Sequence, residues 1–152
     1  MNLVLPKTTL LALDPGETTG VVEVFKGELI RAYTVSYDKI FDSVANEGEP
    51  AGRWAHEYPL WVIEDFRVYP WANLGFDPVR TARLIGVLQV AAQRGNVKVE
   101  YQMAGLAKQM VRSDLLRQLG WFHRLKGTHA KDAARHAVCY MLRQLAKEGR
   151  KV

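Results

Sequence analysis

The sequence predicts an α/β fold with a five-stranded mixed sheet flanked by helices. Runs of apolar residues at 9–14 and 60–66 are typical of strands that are buried on both faces. Helical periodicity is clear at 78–94 and again at 129–147, so strands and helices alternate in the second half of the chain. At 152 residues the chain can bury about two thirds of the surface that it exposes when unfolded, which suits one domain over residues 1–152.

The first half of the chain is predicted to supply three antiparallel strands. The tight turn at 26–28 joins the second β-rich run to the third, and this connection favours a meander. A fourth strand at 60–66 and a fifth at 97–102 lie farther along the chain and complete the sheet. The three strands of the meander are predicted at 9–14, 19–26 and 28–36.

The helix predicted at 78–94 has clear ends and is apolar around most of its circumference. Asp77 and Pro78 supply an N-cap and a first-turn proline, and Gly95 supplies a stop. One side can cover the sheet, and the other is predicted to be buried either by a second subunit or by the C-terminal helices of the same chain. If a second subunit covers it, the predicted interface residues are Ala82, Ile85, Leu88, Gln89 and Ala92.

Four side chains that could bind a metal ion lie where a strand ends or a helix begins. Asp14 closes the first strand and Glu64 follows the apolar part of the fourth, where an unpaired charge would be desolvated. In the last helix, His129 and Asp132 project together from the first turn, with His136 on the same side. A divalent cation is a partner that several carboxylates can share, so these positions predict a metal site.

Basic charge is concentrated in the C-terminal third. Residues 104–152 contain eleven Lys or Arg and three acids, a net charge of +8, whereas residues 1–103 have a net charge of −3. Such a surface suits a polyanion, and a solvated helix surface is the alternative. Cys139 is the single cysteine, which excludes a disulfide within the chain and a cysteine-rich zinc site.

Neither a membrane span nor a signal peptide is indicated. No apolar run approaches the roughly 20 residues that cross a bilayer. The N-terminus lacks the charged start and the cleavage site of a signal peptide. The expected location is therefore cytoplasmic, in a bacterial or phage-infected cell.

Three segments resemble the active-site motifs of the RuvC Holliday junction resolvases, in order and spacing, along nearly the whole chain. They are Asp14–Gly20, Val62–Phe66 and His129–Ala133. The resemblance implies an RNase H-like fold, a homodimer, and cleavage of branched DNA by paired nicks at a four-way junction, with two Mg²⁺ or Mn²⁺ ions per active site. The alternatives are another RNase H-like nuclease that acts on RNA or a ribosomal RNA precursor, and a non-catalytic DNA-binding module.

The same resemblance implies a role for each candidate ligand. Asp14 would bridge the two ions, Glu64 would bind one of them, and Asp132 and His129 would complete the site from the helix. The commoner family pattern has an aspartate where His129 stands. Because a neutral imidazole binds Mn²⁺ more readily than Mg²⁺, this departure predicts a preference for manganese and a loss of activity as the imidazole is protonated.

The residues predicted to contact DNA lie in three parts of the chain. A loop after Glu64 carries aromatic residues that suit stacking on unpaired bases at a branch point, with packing on its own domain as the alternative; its candidates are Arg67, Tyr69, Trp71 and Phe76. Thr18, after the first strand, is predicted to contact a phosphate. The basic residues that could follow the phosphate backbone are Lys108, Arg112, Lys126, Lys131 and Arg135.

Overall fold

A computed structural model describes residues 2–65 and 77–149 of the chain and contains the predicted five-stranded mixed sheet. Its strands are β1 (Leu10–Asp14), β2 (Thr18–Phe25), β3 (Glu28–Ser36), β4 (Leu60–Asp65) and β5 (Lys98–Met103). They lie in the order β3-β2-β1-β4-β5. The β1–β2 and β2–β3 pairs are antiparallel, whereas β1–β4 and β4–β5 are parallel. The predicted arrangement is confirmed, with some strand ends shifted by one residue.

Strand β1 lies in the middle of the sheet, and all five of its residues are buried. Its Leu13 pairs with Ile63 of the parallel neighbour β4. Alternate side chains face opposite sides of a strand, so Leu10 and Ala12 enter one hydrophobic core while Leu11 enters the other. Because both faces of the sheet are covered, the sequence of this strand is continuously apolar.

The predicted turn between β2 and β3 is built from two residues with positive φ. Lys26 has φ 50° and Gly27 has φ 83°, a pairing that matches the right-handed twist of a tight hairpin. Glycine adopts this conformation without steric cost, and a Cβ at Gly27 would also meet the carbonyl oxygen of Pro6. The turn between β2 and β3 therefore favours glycine at position 27.

The helices cover the two faces of the sheet in two groups. One face carries α1 (Tyr37–Ala45), α2 (Ala51–Glu57) and α3 (Pro78–Arg94). The other carries α4 (Ala104–Met110), α5 (Ser113–Gln118), a 3₁₀ turn at Phe122–Arg124, and α6 (Thr128–Lys147). No helix in the described ranges 2–65 and 77–149 has the length and apolar character to cross a membrane.

Helix α3 has the bounds that the sequence predicts, and Asp77 caps it by accepting from the backbone N–H of Val79 and Arg80. It packs with α1 and α2, on the face of the sheet opposite the C-terminal helices, so the predicted intrachain contact with those helices is wrong. The assignment of Leu88 and Ala92 to a subunit interface is also wrong, because both side chains are fully buried within their own chain. The other three predicted interface residues are accessible: Ala82 and Gln89 are exposed and Ile85 is half-buried.

Candidate active site

Asp14 and Glu64 lie side by side at the edge of the sheet that is formed by the carboxyl ends of β1 and β4. Strands β1 and β4 are parallel and pair at Leu13 and Ile63, so the residue that follows each of these brings a carboxylate to the same edge. The two carboxyl groups influence each other's ionisation. Burial, and then the negative charge of Glu64, raise the pKa of Asp14 to about 7. Near neutral pH the pair therefore retains a proton that a bound cation would displace.

The N-terminus of α6 reaches this edge because Gly20 lets it approach. Gly20 pairs with Asp14 between β2 and β1, and a Cβ at this position would overlap the carbonyl group of His129. The helix begins at Thr128, directly after Gly127, which has φ 81°. As a result, His129 Nδ1 lies 3.0 Å from Asp14 Oδ2, and this contact opposes the rise in the pKa of Asp14.

The carboxylate of Asp132 is held by two basic residues. Arg135 Nη1 donates to Asp132 Oδ1 at 2.8 Å, and Lys108 Nζ lies 3.7 Å from Oδ2. Arg135 also donates to the carbonyl of Val111 and to the hydroxyl of Ser113. Its guanidinium therefore positions Asp132, and a contact with a DNA phosphate, as predicted for Arg135, would require it to leave these partners.

Glu64 has a second partner that the sequence did not assign to the site. His136 Nε2 lies 2.9 Å from Glu64 Oε2, and Gln102 Nε2 lies 2.9 Å from His136 Nδ1. Burial alone would raise the pKa of Glu64, but the hydrogen bond with His136 holds it below its usual value. Helical periodicity places His136 near His129 and Asp132, which is a usable signal; Gln102 comes from the edge strand β5 and gives none.

A cavity of about 550 Å³ lies over these groups. All four predicted ligands, which are Asp14, Glu64, His129 and Asp132, line it. Thr18, which was predicted to contact a phosphate, is exposed on its wall. Residues from β1, β4 and α6, far apart in the sequence, thus face one space that is open to solvent.

The donor set suits a divalent cation by its chemistry. Three carboxylates supply the oxygen ligands that Mg²⁺ and Mn²⁺ prefer, and one imidazole favours Mn²⁺. Burial, and then the negative charge of Glu64, raise the pKa of Asp14, and a bound cation would oppose both effects. Within residues 2–65 and 77–149, however, no group of three or more such side chains already encloses an ion position. Each of the three carboxylates has a partner in the protein: Asp14 contacts His129, Glu64 contacts His136 and Asp132 contacts Arg135.

The predicted DNA contacts can be placed in part. Lys108 and Arg112 are exposed and line a second hollow of about 440 Å³, which meets the active-site cavity at Asp132. Lys126 is exposed and Lys131 is half-buried, both near the start of α6. The predicted loop contacts lie outside the described residues; these are Arg67, Tyr69, Trp71 and Phe76.

Comparisons with known proteins find the fold among solved structures. The chain is similar to RuvC from Thermus thermophilus in complex with Holliday junction substrate, with a TM-score of 0.65 and 19% identity over 93% of this chain and 96% of that one. Another Thermus thermophilus RuvC structure gives a TM-score of 0.66 at 18% identity, over 93% of this chain and 97% of that one. The yeast mitochondrial Holliday junction resolvase Ydc2 gives 0.64 at 11% identity, over 97% and 83%.

The sequence itself gives no significant match to a protein-family model or to a curated protein. The likeness is therefore one of structure, at 11–19% identity across nearly the full length of the chain. The chain has the RNase H-like fold of the RuvC-type Holliday junction resolvases.

Proposed function

We propose that this protein is a metal-dependent endonuclease that resolves four-way DNA junctions by paired nicks. The observation that carries the proposal is the meeting of Asp14, Glu64, Asp132 and His129 at one solvent-accessible cavity. The fold shared with RuvC and Ydc2 supports the same substrate class. A module that only bound phosphates would gain nothing from buried carboxylates at its binding surface.

The protein side chains would hold two divalent ions, Mg²⁺ or Mn²⁺, at the edge of the sheet. Asp14 would be a ligand shared by both ions, Glu64 would bind from β4, and Asp132 and His129 would bind from α6. Arg135 and His136 keep Asp132 and Glu64 oriented from behind. Bound divalent ions stabilise the negative charge that develops on the attacking and leaving oxygens of the phosphodiester.

The reaction is a hydrolysis that consumes one water molecule for each nick. Water attacks phosphorus, the bond to the 3′ oxygen breaks, the water loses a proton and the 3′ oxygen gains one. Asp14 must be ionised to bind a cation, because a protonated carboxyl carries no negative charge. Activity should therefore increase as the pH rises through about 7, the pKa of Asp14 in the metal-free protein.

A four-way junction has approximate twofold symmetry, which a homodimer would match with two active sites. The outward face of α3 supports this assembly. Ala82 and Gln89 are exposed there, and the large apolar side chains of Val79 and Val90 are 56% and 43% exposed. Ile85 lies between this face and the cavity, so a subunit bound at α3 would lie beside the active site.

The proposal is tested by a direct comparison of substrates. Purified protein is incubated with a synthetic four-way junction, a duplex of the same sequence and a structured RNA, each with Mn²⁺, Mg²⁺ or EDTA. We expect metal-dependent nicks at symmetric positions in the junction and intact duplex and RNA. Cleavage of RNA in place of the junction would indicate the other nuclease, and junction binding without cleavage under every condition would indicate a binding module.

We predict that His129→Asp shifts the metal preference. A carboxylate in place of the imidazole adds a hard oxygen ligand, so the ratio of the cleavage rates in Mn²⁺ and Mg²⁺ should fall on the order of tenfold. The rate is measured on the junction in each metal over a pH series. His123→Asp, at an exposed position in the 3₁₀ turn, is the control. An unchanged rate ratio in His129→Asp would show that the imidazole of His129 does not bind the metal ion.

We predict that Arg112→Gln weakens junction binding without changing the metal site. Arg112 is exposed in the basic hollow beside Asp132, so its loss should lower the slope of log affinity against log salt by about 1. Lys147→Gln is the control, because Lys147 lies at the far end of the 20-residue helix α6, about 28 Å from its start. Equal slopes of log affinity against log salt for the two variants would show that DNA does not bind at Arg112.

A further inference from the structure

The side chain of His136 is buried directly behind Glu64. Only 1% of it is exposed, and it lies on α6 one turn beyond Asp132. Its two ring nitrogens contact different groups: Nε2 lies 2.9 Å from Glu64 Oε2, and Nδ1 lies 2.9 Å from Gln102 Nε2. His136 is buried behind the carboxylate of Glu64, so it cannot itself contact DNA.

The hydrogen bonds of Gln102 determine which nitrogen of His136 carries the proton. Gln102 Nε2 also lies 3.0 Å from the backbone carbonyl oxygen of His136, which can only accept. The amide nitrogen must therefore face His136, and it donates one hydrogen to the carbonyl and the other to Nδ1. Since Nδ1 accepts, the ring hydrogen is on Nε2 and points at Glu64.

Burying Gln102 beside His136 is less favourable than packing two apolar side chains there would be. The amide oxygen Oε1 of Gln102 is buried and has no hydrogen-bond partner within residues 2–65 and 77–149, which is energetically unfavourable. Apolar residues of the same volume at Gln102 and His136 would remove that cost and would fill the same space between β5 and α6. What they could not supply is an N–H group aimed at the carboxylate.

We propose that His136 is a positioning residue for Glu64 and that Gln102 sets its tautomer. The proposal rests on the proposed function, because it concerns the carboxylate that would bind a metal ion. His136 holds Glu64 Oε2 from behind and leaves the carboxylate facing Asp14 and the cavity. The ring N–H of His136 orients the carboxylate of Glu64, as the guanidinium of Arg135 orients that of Asp132. Partners of this kind behind a metal ligand contribute about 10–100-fold in metal affinity.

Two isosteric variants separate positioning from packing. The amide nitrogen of a glutamine lies about as far along its side chain as histidine Nε2, whereas the amide oxygen of an asparagine lies about as far as Nδ1 and can accept from Gln102. His136→Gln can therefore still donate to Glu64, and His136→Asn can contact only Gln102. We expect Mn²⁺ to bind the DNA-free His136→Gln protein within about threefold of the wild type and the His136→Asn protein about 10–100-fold more weakly, as measured by calorimetry.

The midpoint of thermal unfolding of each metal-free variant tests whether His136 merely stabilises the fold. We expect similar midpoints for the two, since each keeps one of the two side-chain hydrogen bonds of His136. Equal Mn²⁺ affinities for the two variants, or affinities that simply follow the midpoints, would overturn the proposal. A ¹⁵N NMR spectrum of histidine-labelled wild-type protein tests the tautomer without any variant, and a hydrogen on Nδ1 of His136 would also overturn it.

The same preparations distinguish this proposal from the proposed function. Wild-type protein is assayed for junction cleavage in the calorimetry buffer. If it binds Mn²⁺ with the expected difference between the variants but cuts no junction, the positioning role stands and the nuclease assignment fails. If it cuts the junction and both variants bind Mn²⁺ equally, the nuclease assignment stands and the role of His136 fails.

Discussion

Replacing Asp14 with asparagine should abolish junction cleavage while leaving junction binding equal or tighter. Asp14 lines the cavity, and losing the ligand that we propose both cations share should remove several kcal/mol of transition-state stabilisation, or about three orders of magnitude in rate. Binding should not suffer, because one negative charge fewer faces the DNA phosphates. Cleavage is measured in single-turnover reactions with Mn²⁺, and binding by gel shift with Ca²⁺ or EDTA.

The same replacement should stabilise the metal-free protein above neutral pH. Burial and Glu64 raise the pKa of Asp14 from 3.8 to about 7, so the folded state holds its proton more tightly than the unfolded chain does. The resulting stability is fully present below about pH 3.8 and is lost as the pH rises through 7. At pH 8 the wild type should therefore lack a contribution on the order of a few kcal/mol.

The Asp14→Asn amide is uncharged at every pH, so the variant never places a second negative charge beside Glu64. Denaturant unfolding in EDTA at pH 5 and pH 8 measures the effect, and the difference between variant and wild type should be larger at pH 8 than at pH 5, because the wild type loses this stability progressively above about pH 3.8. Asp42→Asn, at an exposed position on α1, controls for the loss of any one carboxylate. If the Asp14→Asn and wild-type unfolding free energies change in parallel with pH, Asp14 does not hold a proton in the folded protein.

The fold could be predicted because its signals are local. Asp77, Pro78 and Gly95 fix both ends of α3, and the continuous apolar run of β1 reveals a strand that is covered on both faces. The side of α3 that would be buried could not be predicted. Val90 is 43% exposed while Leu88, two positions earlier, is fully buried, and both are equally apolar in sequence. Only the position of α1 and α2 distinguishes them.

The partners of the buried charges could not be predicted either, because they come from distant elements. Glu23 stands among apolar residues in β2 and is fully buried. Arg53 Nη1 and Nη2 donate to its two oxygens at 2.7 and 3.1 Å, and Tyr58 donates at 2.7 Å. These bonds hold the pKa of Glu23 below its usual value in spite of burial. The candidate metal ligands could be identified in the sequence from the ends of strands and the start of a helix, whereas the residues that orient them depend on tertiary contacts.

Replacing Gly20 with alanine should both destabilise the protein and disable the candidate metal site. The added Cβ would overlap the carbonyl group of His129, which is backbone and cannot turn aside. Helix α6 would have to move away from β2, and overpacking of this kind costs about 1–3 kcal/mol or more. His129 and Asp132 would move with the helix, and a displacement of about 1 Å at a catalytic group can cost on the order of 100-fold in rate.

Gly105→Ala is the matched control, because a Cβ there meets no atom within 4 Å and the residue lies in helix α4. That variant should be stabilised by about 0.5–1 kcal/mol, since alanine favours a helix more than glycine does. Unfolding free energy and Mn²⁺ affinity are measured for both variants. In Gly20→Ala both should fall together, because one contact sets the packing of α6 and the position of its two ligands. A destabilised Gly20→Ala protein that bound Mn²⁺ as tightly as the wild type would show that the ion does not depend on α6, and His129 and Asp132 would then lose their place as ligands.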